Sequence, residues 1–131
     1  MTDNDRVHVL FSFAMYARMY RMPQSWSDTG AREVARNGIV LEYRMVCKYS
    51  NIARDTLDIG SSYVANLTTK FLAIFDTTQN VRAKISVRKA TSFPSSSGGI
   101  MAYRVEMDDY ANSCGEGVFP RLKAIKSELQ A

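Results

Sequence analysis

A chain of 131 residues, 46% hydrophobic and 23% charged, has the size and composition of one folded domain, which excludes a disordered or low-complexity protein. The formal charge of +4, from 17 Lys and Arg against 13 Asp and Glu, is too mild for a polycationic tail. One histidine and two cysteines, Cys47 and Cys114, exclude the common Cys/His zinc spacings, so no metal or cofactor site is expected.

The opening Met1-Thr2-Asp3-Asn4-Asp5-Arg6 is acidic where a secretory leader is basic. No apolar run approaches the ~18 residues of a membrane helix, so no integral membrane segment is expected. The expectation is a cytoplasmic or otherwise intracellular protein, such as part of a pathogen's assembly, with its cysteines in a reducing compartment. The sequon Asn66-Leu67-Thr68 is then idle.

Residues 6–22 are dense in apolar side chains, and two periods compete there. Val7, Val9, Phe11, Phe13 and Met15 alternate as in a strand. Length, Ala14 and Ala17, and the acids at Asp3 and Asp5 favour a helix, which Pro23 ends. Ser27 or Asp28 caps a short helix through Ala31–Arg36, with Asn37-Gly38 as its exit. Ile39 to Tyr49 alternates as a half-buried strand, with Ile39, Leu41, Tyr43, Met45 and Cys47 on one side and Glu42, Arg44 and Lys48 on the other.

Asn51 to Ile59 fits one short helix stopped by Gly60. Thr69 to Asp76 reads as a strand, against a competing helix through Tyr63–Phe75. After a turn at Thr77–Asn80, residues 81–89 alternate most regularly of all and predict a second strand. A loop at 93–99 precedes a strand from Ile100 to Met107. Pro120 opens a terminal helix with Leu122, Ile125 and Leu129 as its apolar stripe. The expected fold is α+β, an antiparallel sheet of about four strands covered by an N-terminal and a C-terminal helix.

Charge is unevenly placed. From Thr77 to Val105 there are five basic residues (Arg82, Lys84, Arg88, Lys89 and Arg104) and no acid, while Glu106, Asp108, Asp109 and Glu116 follow without a base. On a strand, Arg82, Lys84 and Arg88 form a row at ~6–7 Å per two residues. Arg44 and Lys48 extend it if their strand shares the sheet. Such a row suits phosphates of RNA or DNA, or headgroups at a membrane surface. Arg18 and Arg21, interleaved with Tyr16 and Tyr20, add a basic-aromatic patch able to stack on bases.

This reading predicts a non-enzymatic nucleic-acid-binding or structural protein, coat-, matrix- or accessory-like and of viral type. The acids pair with a second copy's basic row to make a homo-oligomer. The alternative is a protein–protein interaction module with a basic rim. A third reading is a small enzyme using Cys114, whose only imidazole partner, His8, lies far off in sequence. Against all three stands the bland reading: exposed sheet faces are commonly rich in Lys and Arg, and loop acids are commonly solvated.

Overall fold

The computed structural model describes residues 11–26, 36–49, 51–54, 60–90 and 99–131. Strand β1 (Phe11–Ala14) runs through Met15 into β2 (Tyr16–Arg21), and the chain changes sheets at that methionine. Next come β3 (Arg36–Glu42), β4 (Ala53–Arg54), β5 (Ser62–Asn66) and β6 (Phe71–Phe75). Together with β2 they build a five-stranded antiparallel sheet in the order β3-β2-β6-β5-β4. Helix α1 (Thr78–Ala90) leads to β7 (Ile100–Tyr103), and α2 (Pro120–Gln130) follows. β7 lies parallel to β1, with Phe11 opposite Ile100 and Ala14 opposite Tyr103. The chain is thus a β1-α1-β7-α2 unit with an antiparallel sheet inserted between β1 and α1.

Period-two alternation lets the antiparallel sheet pack on both faces. One face buries Ala17, Val64, Ala73 and Phe75 under Tyr43 and Val46; the other buries Leu72 with Met22 and Trp26. Each large apolar side chain so covered contributes roughly 1.5–3 kcal/mol. Gly38 is fixed by close approach, since a Cβ there would stand 2.6 Å from the Tyr20 ring. Among the described residues, the parallel pair packs one face. Phe13 and Met15 meet Val81 and Ile85 of α1 and Ala124 and Ile125 of α2.

The α+β class holds, and so does the strand over 69–76; the competing helix through 63–75 is absent, with β5 and β6 in its place. The terminal helix begins at Pro120 as expected. Two corrections concern the period of a segment. The described part of 6–22 is strand, so its alternation was the true period and the alanines misled. Residues 81–89 are helix, with Val81 and Ile85 buried one turn apart while Val87 is exposed. The reason lies just upstream. Thr77 N–H donates to Asn80 Oδ1 at 2.9 Å and Asn80 N–H to Thr77 Oγ1 at 3.2 Å, a reciprocal cap in the four residues taken for a turn.

The strand expected over 39–49 stops at Glu42, where a 3₁₀ turn at Tyr43–Met45 carries Tyr43 into the core. The strand expected to Met107 stops at Tyr103, because Arg104 takes a left-handed conformation with φ 60°. Within 51–59 the described segment holds β4 rather than a helix, and 55–59 lies outside the described residues. So do residues 31–35 of the helix expected over Ala31–Arg36 and residues 93–98 of the loop, while Arg36 and the expected exit Asn37-Gly38 lie in β3.

Both connections of the inserted sheet meet one side chain. Arg121 is fully buried; its Nη2 donates to the carbonyl of Met15, where the chain enters the insert. Its Nη1 donates to the carbonyl of Asp76, where the chain leaves, at 3.0 Å. Nε is paired with Asp108 Oδ1 at 2.9 Å, and the Tyr43 ring centre lies 3.9 Å from the guanidinium carbon. A buried charge is tolerated only when so fully engaged.

Candidate functional site

The proposed cationic row is dispersed. On a helix, positions two apart differ by about 200°, so Arg82 and Lys84 face nearly opposite ways. Arg82 pairs with Glu128 at 3.0 Å and Lys84 with Asp76 at 2.8 Å. The Arg88 guanidinium lies over the Phe11 ring at 5.0 Å. Lys89 donates to main-chain oxygens at the end of α2. Arg44 is held by Glu42 and Arg104 by Glu106; Lys48 is exposed in the turn beyond Val46, and Arg18 and Arg21 are exposed on β2. Carboxylates of the same chain therefore neutralise much of the row, and the rest is scattered over separate elements.

Other candidate chemistry is also accounted for. Cys114 is bonded to Cys47, with Cα atoms 5.8 Å apart, so it offers no thiol nucleophile. Asp108 and Asp109 are buried rather than solvated. Asp108 Oδ2 accepts from the N–H groups of Arg121 and Leu122, capping the first turn of α2, while Asp109 accepts from Ser113 and Cys114 N–H. Ser61 Oγ is 3.1 Å from Lys84 Nζ, a spacing that suits a Ser-Lys dyad. The Asp76 carboxylate, however, straddles the same Nζ at 2.8 and 3.0 Å, so that amine is already engaged.

What the fold does assemble is an aromatic pair at the carboxyl ends of the parallel strands, where ligands of β/α folds bind. Tyr103 ends β7, and Tyr16 begins β2 immediately after β1 and Met15. Their rings meet edge-to-face, centroids 6.4 Å apart and planes at 77°. Met15 N–H donates to Tyr103 O at 2.9 Å, fixing the two backbones side by side. Tyr103 remains 53% exposed. Arg18 shares Tyr16's side of β2, and Glu42 stands opposite Tyr16 in the β2–β3 register. Beyond Tyr103, the hydrogen bond from Arg104 holds the exposed Glu106 carboxyl below its ordinary value.

A groove of about 470 Å³ continues from Tyr16 along β1, lined by Phe11, Phe13, Phe75 and Val87 with Asp76 and Lys84 among them. Sequence reasoning noticed Tyr16 and Arg18 as a base-stacking patch. It missed Tyr103, which lies inside the strand expected from Ile100 to Met107. No residue pattern marked it, because the break after Tyr103 comes from the left-handed conformation of Arg104.

No family model matches the sequence, and no curated protein matches it. Solved structures do. A group IV chitinase from Ostrinia furnacalis, in complex with allosamidin, matches with a TM-score of 0.73 at 21% identity, over 92% of this chain and 34% of its own. An immunomodulatory active chitinase from Trichuris suis matches with a TM-score of 0.68 at 20% identity, over 92% and 35%. A chitinase-like agglutinin from Robinia pseudoacacia matches with a TM-score of 0.59 at 18% identity, over 88% and 32%. The chain therefore has the fold of part of chitinases and of a chitinase-like agglutinin, and spans about a third of their length. These likenesses overturn the expectation of a self-associating nucleic-acid-binding coat, matrix or viral protein. No described helix is long and apolar enough to cross a membrane.

Proposed function

We propose that this chain is part of a chitinase-like carbohydrate-binding protein, with Tyr16 and Tyr103 as platforms for the sugar rings of a chitin-type N-acetylglucosamine polymer. The observation that carries this reading is the aromatic pair at the carboxyl ends of neighbouring parallel strands, within a fold shared with chitinases. A pyranose ring has an apolar C–H face that packs on tyrosine and a polar edge that needs directional partners. Arg18 and Glu42 supply a donor and an acceptor on the sheet beside Tyr16.

The role assigned is binding and positioning. Glycoside hydrolysis needs a carboxylic acid held protonated beside the scissile bond, working with a second carboxyl group or, in substrate-assisted hydrolases, with a group of the substrate itself. The described acids near the groove are otherwise engaged: Asp76 by Lys84, Glu42 by Arg44 and Glu106 by Arg104. Where such a protein cleaves chitin, the proton transfer belongs to acids outside the described residues. Parallel strands are normally covered on both faces, and further β/α structure against the outer side of β1 and β7 is part of this reading.

Retention on immobilised chitin tests it. The wild-type chain is expected to bind and to elute with soluble chitin oligosaccharide, whereas Tyr16→Ala and Tyr103→Ala flow through. Equal retention of all three removes the site, and no retention of the wild type removes the function.

A further inference from the structure

We propose that Asn66 is an N-glycosylation site, occupied when the chain passes through an oxidising secretory compartment. The expectation from sequence was that Asn66-Leu67-Thr68 stays idle in a reducing one. Two features of the fold point the other way, and neither involves the tyrosine site.

The first is the disulfide. Cys47 lies just beyond the 3₁₀ turn over the antiparallel sheet and Cys114 in the loop before α2, 67 residues on, with Cα atoms 5.8 Å apart. That separation is within the range a bridge requires, and such bonds persist where the surroundings are oxidising. The compartment that forms them is also the one that offers sequons their donor.

The second is the place of the sequon. Asn66 ends β5 opposite Phe71, so Asn66-Leu67-Thr68 makes the tip of the β5–β6 hairpin. Asn66, Leu67, Thr68 and Thr69 are all exposed, Leu67 by 49%. Asn66 Oδ1 accepts from Thr68 N–H at 3.0 Å and Thr69 N–H at 3.1 Å, an Asx turn that fixes the tip. Nδ2 has no acceptor among the described residues, so a glycan there displaces no internal hydrogen bond. The tip is also at the far end of the sheet. β6 runs from Phe71 beside the tip to Phe75 beside Asp76, whose carbonyl Arg121 ties to the β1–β2 junction. A glycan on Asn66 therefore grows away from Tyr16 and Tyr103. It stands instead at the rim of an apolar cavity of about 470 Å³, among Met19, Leu41, Tyr49 and Phe71.

The modification is a group transfer. Asn66 Nδ2 bonds to the anomeric carbon of an oligosaccharide carried on a lipid pyrophosphate. That carbon's bond to the pyrophosphate oxygen breaks, the lipid pyrophosphate departs, and one amide proton passes to a base of the transferase. Nothing is oxidised or reduced.

The test is cell-free translation of the full chain behind a cleavable leader with microsomes. The protease-protected product is expected to migrate more slowly than the untranslocated chain, and peptide N-glycosidase removes the difference. The shift is lost in Asn66→Gln and Thr68→Ala and kept in Thr68→Ser. A protected wild-type chain with no shift overturns the proposal, as does a shift that survives Asn66→Gln. This readout scores the chain during translocation, so a variant's failure to fold does not mask it. On secreted protein, thiol alkylation before reduction is expected to label neither cysteine of the glycosylated form. A glycan confined to thiol-reactive chains overturns it too.

Discussion

Among the described residues, the antiparallel sheet is packed on both faces by its own chain, whereas the parallel pair is packed on one. Tyr43, Val46 and Trp26 close the first layer. In the second, β1 and β7 rest on α1 and α2, and Met101 and Tyr103 face outward, 46% and 53% exposed. Parallel strands ordinarily bury both faces, and among the described residues β1 and β7 bury one. The antiparallel layer keeps its room in the cavity beside the β5–β6 hairpin, whereas the parallel layer opens along β1 and at its outer side. The aromatic pair lies at their boundary, with one ring from each sheet.

If Arg121 is the joint between the layers, cutting it should have the largest effect. Arg121→Met leaves Asp108 buried without its counter-charge and both connecting carbonyls without their donor. The expected cost is about 3–5 kcal/mol, read by urea unfolding. A loss under 1 kcal/mol on that scale would mean the layers hold together without it. The Cys47–Cys114 bond staples the sheet's cover to the loop before α2. Replacing both cysteines with serine is expected to cost about 2–4 kcal/mol in the same assay, while the fold persists.

Opening the comparison from the ligand side gives a smaller effect of a different kind. Tyr103→Ala should shift stability by less than about 0.5 kcal/mol, since the ring is half in solvent. It should weaken chitin-oligosaccharide binding about tenfold in calorimetry, the loss of one aromatic platform. Stability lost without affinity lost would make Tyr103 part of the scaffold.

Titration separates the layers as well. Burial, and then the Glu116 carboxylate, push the Tyr43 phenol above the ordinary value of 10.0. The folded chain then holds that proton more tightly than the unfolded one. Stability is therefore unaffected by this group below pH 10.0 and declines as pH rises beyond it, measurable by denaturation against pH. The exposed Glu106 behaves oppositely and gives the smallest effect. Its folded value lies below 4.5, so the Arg104 contact is present above that pH and is lost as pH falls through the lowered value. Carbon NMR of the carboxyl group follows it directly.

The antiparallel layer was more legible in the sequence than the parallel one. β3 and β6 announce themselves by period two or by a short apolar run, and Pro120 marks the start of α2. Val81, Ala83, Ile85 and Val87 fit a strand and a helix equally over so short a window. The Thr77–Asn80 cap decided between them, through hydrogen bonds that only appear once the turn is built. Counting charges along the chain treated Arg82, Lys84 and Arg88 as neighbours, which holds only on a strand. Arg121 was invisible for the reverse reason. It sits beside Leu122 in an amphipathic helix, where an arginine is read as solvated, and its four partners come from distant segments. Tyr16 and Tyr103 are 87 positions apart, and only the parallel pairing of β1 with β7 joins them.

The most direct test is an NMR titration of the chain with a soluble chitin oligosaccharide. Shift changes are expected to centre on the rings of Tyr16 and Tyr103 and on the amides of Arg18 and Arg104, saturating with one affinity. Unmoved tyrosine rings at saturating sugar, or changes confined to the antiparallel sheet away from them, would contradict the account.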